Sequence, residues 1–426
     1  MSKPNNSTGS SYVYQITIIG ILFFIFGFVT WLNGTLIPFL KLACNLQSDA
    51  QALLVTSAFY LSYFFLAIPS SAILKKTGFK NGMAMGLVVM AIGSLIFIPA
   101  SSARSYPLFL LGLFTQGMGL ALLQTASNPY ISIIGPIESA AKRISIMGIC
   151  NKVAGILSPL ILSSIVLKNA SAIESQIQTT TDAVQKEALL TQLTSRIETP
   201  YMIMAIVLFA LSLMIRRSNL PEIDTNAEDS TGDTSLSSNK TSAFQFPHLM
   251  LGVLALFCFV GLEVLSGDGI TIYGKQLGFG LDDTKYFTSF TLGVMLIGYI
   301  LSIIFIPKYI SQQDALKYSC ILGIILTFAI YFSTGKTAVG LVAALGLANA
   351  VMWPAIFPLA INGLGRFTQI GSAYLIMAIA GGAIMPQIYA FLKDVMPFNL
   401  AFMVTLLPCY LIILYFATKG YKAGMS

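Results

Sequence analysis

Charged residues are scarce in this chain, and their scarcity decides its class. Only 10% of the 426 residues are charged, whereas 56% are hydrophobic. Soluble globular chains carry about 25% charged residues. The 17 acidic and 24 basic residues are too few to cover the water-exposed surface of a soluble protein of this length. The composition therefore predicts an integral membrane protein.

Residues for catalysis or for ATP hydrolysis are also scarce. His248 is the one histidine, so the sequence lacks the set of residues expected of a catalytic metal site or a Ser-His-Asp triad. No GxxxxGK[ST] loop occurs. The five cysteines form no pair or cluster with metal-ligand spacing. The sequence thus predicts that the protein is not an enzyme and has no cofactor, and any pumping must draw on an ion gradient.

Twelve apolar runs, each long enough to span a bilayer as a helix, make up most of the chain. A transmembrane β-barrel would show short alternating segments instead. The predicted fold class is an all-α membrane protein with twelve transmembrane helices in two six-helix bundles. The polar stretch between the sixth and seventh runs reads as a linker. The predicted units are a tail (1–15), an N-terminal bundle (16–215), a linker (216–247), a C-terminal bundle (248–418) and a second tail (419–426).

The basic residues predict the orientation, because cytoplasmic loops carry an excess of Lys and Arg. With a cytoplasmic N-terminus, 14 basic residues lie inside and nine outside. Both termini, the linker and the tails are then cytoplasmic. The net charge of +7 comes from short clusters between apolar runs, so topology explains it better than a nucleic-acid partner does. We expect a multi-pass protein of a bacterial-type inner membrane.

Three charged residues lie inside apolar runs, namely Lys152, Glu263 and Asp268. A charge near the bilayer centre is costly, so it normally faces a partner or a wet cavity. Five residues apart on a regular helix, Glu263 and Asp268 point about 140° apart. They share a pocket only if the helix loosens at Gly267 and Gly269. Two interpretations remain open: one acid pairs with Lys152 to hold the bundles together, or the acids couple a cation, either Na⁺ or a proton.

Uncharged polar residues cluster on three other helices. Asn33 interrupts the first run, Gln124 and Asn128 share a face of the fourth, and Asn151 adjoins Lys152 on the fifth. Amides offer donors and acceptors that suit the hydroxyls of an uncharged sugar. The alternative is hydrogen bonding between helices.

Two aromatic residues are candidates for stacking against a sugar ring. Trp353 precedes Pro354 in the tenth run, and Tyr60 lies on the second. A kinked helix with a packed indole is the alternative for Trp353. We predict Asn33, Gln124, Asn128, Asn151, Trp353 and Tyr60 as sugar ligands, Glu263, Asp268 and Lys152 as cation-coupling residues, and Glu263 with Asp268 as ligands if the cation is Na⁺.

Several stretches resemble the fucose–galactose–glucose:proton symporter family, the fucose-permease branch of the major facilitator superfamily. They are residues 23–40 (FFIFGFVTWLNGTLIPFL), 57–76, 117–135 (GMGLALLQTASNPYISIIG), 143–155 and 353–386. The resemblance implies two six-helix bundles, a central sugar cavity, alternating access and a monomer. It also implies acids at two positions that here hold Gly34 and Gln124. The acids on the seventh helix, with Lys152 beside Asn151, resemble the glucose/galactose-type members.

The expected function is therefore import of a neutral hexose of the glucose, galactose and fucose class, driven by a Na⁺ or proton gradient. An uncoupled sugar uniporter is the first alternative, because the three buried charges could be a structural network. A non-transporting sugar sensor or an exporter of amphiphiles is the second. The expected partners are the hexose and the lipid bilayer.

Overall fold

The computed structural model describes residues 9–133, 140–220, 240–306 and 308–425. Most of the predicted linker and the first eight residues of the predicted N-terminal tail lie outside these ranges. The described residues form α-helices and short 3₁₀ turns, with no strand among them. The helices are α1 (Gly9–Thr30), α2 (Asn33–Ala43), α3 (Asp49–Thr77), α4 (Phe79–Ser102), α5 (Tyr106–Ile133), α6 (Ala140–Val166), α7 (Ala170–Thr179), α8 (Ala183–Ser195), α9 (Glu198–Arg217), α10 (Pro247–Gly267), α11 (Ile270–Gln276), α12 (Leu281–Thr284), α13 (Phe287–Phe305), α14 (Gln312–Tyr331), α15 (Gly335–Asn349), α16 (Met352–Ile361), α17 (Thr368–Met377), α18 (Gly381–Val395) and α19 (Phe398–Thr418).

Twelve helical segments among the described residues are long and apolar enough to cross a membrane, which confirms the predicted number. Several consist of two helices in succession: α1 and α2 together make the first, and α17 and α18 make the eleventh. Large apolar side chains such as Phe65, Ile206 and Phe209 are exposed on their outer faces. A lipid-facing surface explains this exposure, because the acyl chains are as apolar as the side chains.

The helices before and after the linker pack mainly among themselves. In the first half, α4 packs along α5 and α9, α3 packs on α5, and α1 packs on α6. In the second half, α13 packs on α15, α14 on α19, and α10 on α18 and α19. The two halves meet along two seams, α3 against α17 and α18, and α6 against α13. Residues at these seams are placed to respond to any movement of one half against the other.

One end of the interface between the halves carries a network of ion pairs. This end contains the turn at Asn45, and we call it the Asn45 end. Asp49, the first residue of α3, pairs with Lys41 of its own half and with Lys393 of the other half, whose Nζ lies 2.9 Å from Oδ2. The same carboxylate accepts a 3.1 Å hydrogen bond from Gln276. Asp49 thus links α3 to both α18 and α11.

Further contacts join the halves at the Asn45 end. Lys275 donates to Glu174 at 2.9 Å, and the Asp282 carboxylate accepts a bond from the backbone N–H of Ser171 at 3.3 Å. Lys285 neutralises Asp282 at 2.9 Å and also reaches the Leu167 carbonyl. We call these contacts and those of Asp49 the Asn45-end network. Each of its carboxylates has a cation or a donor, so the network holds this end of the interface together.

Candidate functional site

The first membrane segment is broken where its polar residues lie. Trp31 N–H still bonds to the Gly27 carbonyl, but the next bond four residues long runs from Leu36 N–H to the Leu32 carbonyl. Helix α1 therefore ends at Thr30, and α2 begins at Asn33. Irregular backbone at membrane depth is tolerated where it is buried in protein or lines a cavity. Here it places Asn33 and Gly34 at the interface between the halves.

The seventh membrane segment is interrupted at Asp268 and Gly269, between α10 and α11. The backbone keeps near-helical dihedral angles, but Gly269 N–H bonds to the Val264 carbonyl, five residues back. This is a π-type turn, and such turns are frequent at functional sites. The wide bond belongs to the residue after Asp268, whose own N–H bonds to the same Val264 carbonyl as in a regular α-helix. The loosening predicted at the glycines is present, although the segment is not unwound.

Lys152 and Glu263 form a salt bridge between the halves, with Nζ 2.7 Å from Oε1. Both side chains are largely buried, at 6% and 15% exposure. The ammonium group also lies 4.6 Å from the ring centroid of Trp31 and 5.9 Å from that of Tyr299. Cation–π contacts of this kind stabilise a desolvated ammonium. The pairing predicted for one acid is thus found for Glu263.

Asp268 is fully buried but has no such partner. The backbone N–H of Gly34 lies beside its carboxylate, yet no described donor is in hydrogen-bonding geometry with either oxygen. Its charge is within electrostatic range of Glu263 and Lys152. Lys152 is already paired with Glu263, so the structure supplies no separate counter-charge for an ionised Asp268. Buried charges normally have a partner.

Two uncharged side chains beside Asp268 are also unsatisfied. Asn33 and Thr288 are fully buried. The Asn33 amide lies beside the Tyr60 hydroxyl, but neither this amide nor the Thr288 hydroxyl is in full hydrogen-bonding geometry with a described residue. A Cβ placed on Gly34 would lie 2.2 Å from Thr288 Oγ1. Glycine at position 34 is therefore what allows α13 to approach the break in the first segment. Together Asn33, Gly34, Thr288 and Asp268 form what we call the central cluster.

The predicted sugar ligands of the first half lie close to this cluster. Gln124 donates a 3.0 Å bond to the hydroxyl of Tyr63, whose ring stacks on Tyr60 at 6.5 Å between centroids. Tyr60 is buried, lies beside Asn33 and is within electrostatic range of Asp268. These contacts place Gln124 and Tyr60 in one polar chain that leads to Asn33.

The other two predicted amides, Asn151 and Asn128, have no described contact with the central cluster. The side chain of Asn151 donates a weak 3.4 Å bond to the Phe23 carbonyl. The backbone carbonyl oxygen of Asn151 lies 1.9 Å from the position that a Cβ on Gly27 would take. Asn151 thus holds α6 against α1 and is partly exposed. The side chain of Asn128 lies outside the described residues.

Trp353 is partly buried in an aromatic group of the second half. Its ring is 6.4 Å from that of Phe259 and stacks on Phe357 at 5.8 Å. Phe259 lies one turn before Glu263 on α10. The packed-indole interpretation and the sugar-stacking interpretation remain compatible with this geometry.

Sequence reasoning missed four residues around the centre. Thr288 and Tyr299 lie on α13, while Ser266 and Asn349 belong to a network in which Asn349 donates to Ser266 at 3.1 Å and accepts from Tyr410 at 2.9 Å. Serine, threonine and tyrosine are common in apolar helices, so no sequence signal marked Ser266, Thr288 and Tyr299. Asn349 is an amide inside an apolar run, so the criterion that selected Asn33 and Asn151 could have found it. The described residues hold no group of three or more His, Cys, Asp or Glu side chains that could bind a metal ion.

Comparison with known proteins agrees with this architecture. The chain is 33% identical over 421 residues to a glucose/galactose transporter of Brucella abortus, covering 98% of this chain and 96% of that protein. It is 30% identical over 393 residues to the L-fucose-proton symporter of Escherichia coli, covering 90% and 88%. The crystal structure of the transporter FucP in the outward conformation superposes with a TM-score of 0.75 at 27% identity, covering 96% of this chain and 98% of that one.

These relatives confirm the predicted resemblance to the fucose-permease branch and its glucose/galactose-type members. The sequence profile of the Major Facilitator Superfamily matches residues 19–386. The chain is accordingly a membrane transporter and not an enzyme. It belongs to the Major Facilitator Superfamily.

Proposed function

We propose that this protein is a secondary active transporter that imports a neutral hexose of the glucose, galactose and fucose class, coupled to a Na⁺ or proton gradient. The observation that carries the proposal is the buried Asp268 carboxyl group at the contact between the two halves, whose oxygens have no hydrogen-bond partner among the described residues. A group that needs a cation, placed where the halves meet, can tie cation binding to their relative movement. The names of the relatives support the sugar class.

The sugar contacts are assigned to Gln124, Asn128, Asn151, Tyr60 and Trp353, with Asn33 in support. The amides supply donors and acceptors for hydroxyls. Lys152, the one basic residue within the apolar runs, is paired with Glu263, which favours a neutral solute over an anionic one. In the predicted orientation both termini are cytoplasmic and the Asn45 end faces outward. The protein is proposed to act as a monomer in the cell inner membrane.

Uptake into proteoliposomes tests the function directly. Radiolabelled glucose, galactose, fucose and mannose are offered under an inward Na⁺ gradient, an inward proton gradient, or neither. Uphill accumulation of at least one hexose under one gradient is expected. Equilibration of the sugar without accumulation under every gradient would show a uniporter. The Lys152–Glu263 salt bridge supports this alternative, because it is consistent with a purely structural role for the buried charges.

A pair of matched glutamine variants tests the sugar assignment. Gln124→Leu is expected to raise the KM for the transported hexose about tenfold, because a lost hydrogen bond to a buried polar group costs about 1–3 kcal/mol. Gln116→Leu is the control, since Gln116 is buried on the same helix and its side chain donates to Ser94 of α4 at 2.8 Å. Equal effects of the two substitutions would remove Gln124 from the site.

A further inference from the structure

We propose that Asp268, Asn33 and Thr288 form a binding site for one dehydrated Na⁺ ion, and that Glu263 is not among its ligands. This inference rests on the proposed function, because it names the coupling ion and its site. It also departs from the sequence prediction, which paired Glu263 with Asp268 as ligands.

The charge balance of the buried centre calls for one added positive charge. With all three groups ionised, Lys152 contributes +1 and Glu263 and Asp268 each contribute −1, so the sum is −1. Burial and the nearby charge of Glu263 both act against this ionised form of Asp268, so it requires an added cation. Lys152 and Glu263 neutralise each other at 2.7 Å. A carboxylate left alone at membrane depth costs several kcal/mol. One monovalent cation at Asp268 brings the sum to zero, whereas a divalent cation would overshoot it.

The unsatisfied atoms are of the kind that Na⁺ binds. Hard cations take carboxylate, amide and hydroxyl oxygens, and these are what Asp268, Asn33 and Thr288 offer. All three surround Gly34: Asn33 precedes it, the Asp268 carboxylate lies beside its N–H, and Thr288 Oγ1 lies 2.2 Å from the position of a Cβ on it. Buried polar groups that lack partners call for an explanation, and a bound ion is one of the few available.

The backbone at the site fits the same chemistry. Membrane segment one is interrupted between α1 and α2, and membrane segment seven ends at Gly267, where the π-type turn joins α10 to α11. Discontinuous membrane helices supply free carbonyl groups to Na⁺ in other transporters. The ligands would come from both halves, since Asn33 lies in the first and Asp268 and Thr288 lie in the second. An ion held in this way stabilises the contact between the halves.

A proton would satisfy less of the cluster than Na⁺ does. Protonation neutralises Asp268 and gives it one O–H donor, which can satisfy at most one of the two remaining acceptors, the Asn33 carbonyl oxygen or the Thr288 hydroxyl. A Na⁺ ion takes one oxygen from each of the three residues. The Asn33 Nδ2 then remains free to donate to the hydroxyl of Tyr60, which lies beside it.

Sodium binding to the purified full-length protein tests the site without any need for transport. The thermal unfolding midpoint is followed in detergent while NaCl replaces choline chloride at constant ionic strength, with KCl as a second comparison. A saturable increase with Na⁺ is expected in the wild type and should be absent in Asp268→Asn. The proposal is wrong if the midpoint does not increase with Na⁺ at any concentration. It is also wrong if lowering the pH alone produces the whole increase while Na⁺ has no effect at higher pH.

Matched variants separate ligands from neighbours and remain informative if Asp268→Asn fails to fold. Thr288→Val should weaken apparent Na⁺ affinity about tenfold. Thr327→Val should leave it unchanged, because the Thr327 hydroxyl is buried but bonds within its own helix to Gly323. The double variant Lys152→Met/Glu263→Gln should keep Na⁺ binding, and a folded double variant that no longer binds Na⁺ would make Glu263 a ligand.

Na⁺ binding and gradient-driven hexose uptake are measured separately, so a failure of one can be distinguished from a failure of the other. Na⁺ binding combined with uptake that ignores every gradient would refute the coupling in the proposed function and leave the site intact. Uptake driven by a proton gradient, with no Na⁺ binding, would refute the site and leave the proposed function intact.

Discussion

The central cluster and the Asn45-end network lie on the same interface but treat their acids differently. At the Asn45 end, Asp49 contacts two lysines and a glutamine. In the central cluster, Asp268 is fully buried and has no hydrogen-bond partner among the described residues. Acids whose carboxylate oxygens have protein partners hold the halves together. An acid whose oxygens have no such partner is suited to reversible binding of a ligand. The position of a charge matters less than whether its partners are built into the protein.

The sharpest way to break this comparison is to neutralise the unsatisfied acid. Asp268→Asn should reduce gradient-driven hexose accumulation by at least 100-fold, because the amide cannot balance the charge of a bound cation. Exchange of labelled for unlabelled sugar across the same proteoliposomes should persist if the fold is intact. Normal accumulation in this variant would remove Asp268 from the coupling mechanism.

Breaking the paired acid should instead affect stability. Lys152→Met leaves Glu263 buried without its cation, and loss of one partner of a buried ion pair costs about 3–5 kcal/mol. The thermal unfolding midpoint should fall clearly. The double variant Lys152→Met/Glu263→Gln should recover most of the loss, because no unpaired charge remains. A double variant as unstable as the single one would show that the pair itself, not the unpaired charge, matters.

The close approach at Gly34 sets the geometry of the central cluster. Gly34→Ala places a Cβ against Thr288 Oγ1, and such overpacking costs about 1–3 kcal/mol. We expect a lower unfolding midpoint together with weaker Na⁺ stabilisation. Gly293→Ala on α13 is the control, since a Cβ there meets no atom within 4 Å. Equal midpoints for the two alanine variants would mean that the halves approach less closely than described.

The smallest effect is expected at the Asn45 end. Asp49→Asn weakens the contacts with Lys41 and Lys393. Lys41 is 30% exposed and can be solvated by water, and Lys393 keeps Asp394 as a partner at 3.2 Å, so we expect a loss of about 1 kcal/mol. This should favour opening at that end by up to about fivefold. The measurement is the rate at which a membrane-impermeant thiol reagent labels Ser57→Cys, a position that bonds across the interface to Ala383 and Gln387.

Glu187→Gln is the control for the Asp49 experiment. Glu187 pairs with Arg104, and both residues belong to the first half. The labelling rate should therefore equal that of the protein with Ser57→Cys alone. An increase as large as that of Asp49→Asn would mean that the network does not hold the halves together.

The membrane segments were predictable because their signal is local. About 20 consecutive apolar residues suffice to define a membrane helix, and twelve such segments are present among the described residues. The interruption of the helix at Asp268 was also predictable from the sequence, because glycines flank this residue. The exact form of that interruption was not, because a π-type turn depends on what packs against the helix. The assignment of individual sugar ligands remains a prediction.

The amino-acid sequence alone determined that this chain spans a membrane, that it does so with twelve helices, and that three costly charges lie inside them. Hydrophobicity and charge count decide these properties, and both are read along one segment at a time. Only the tertiary structure decided that Lys152 pairs with Glu263 rather than Asp268, and that Thr288 approaches Gly34. These contacts join residues more than 100 positions apart, and their geometry follows from how two helical halves pack against each other.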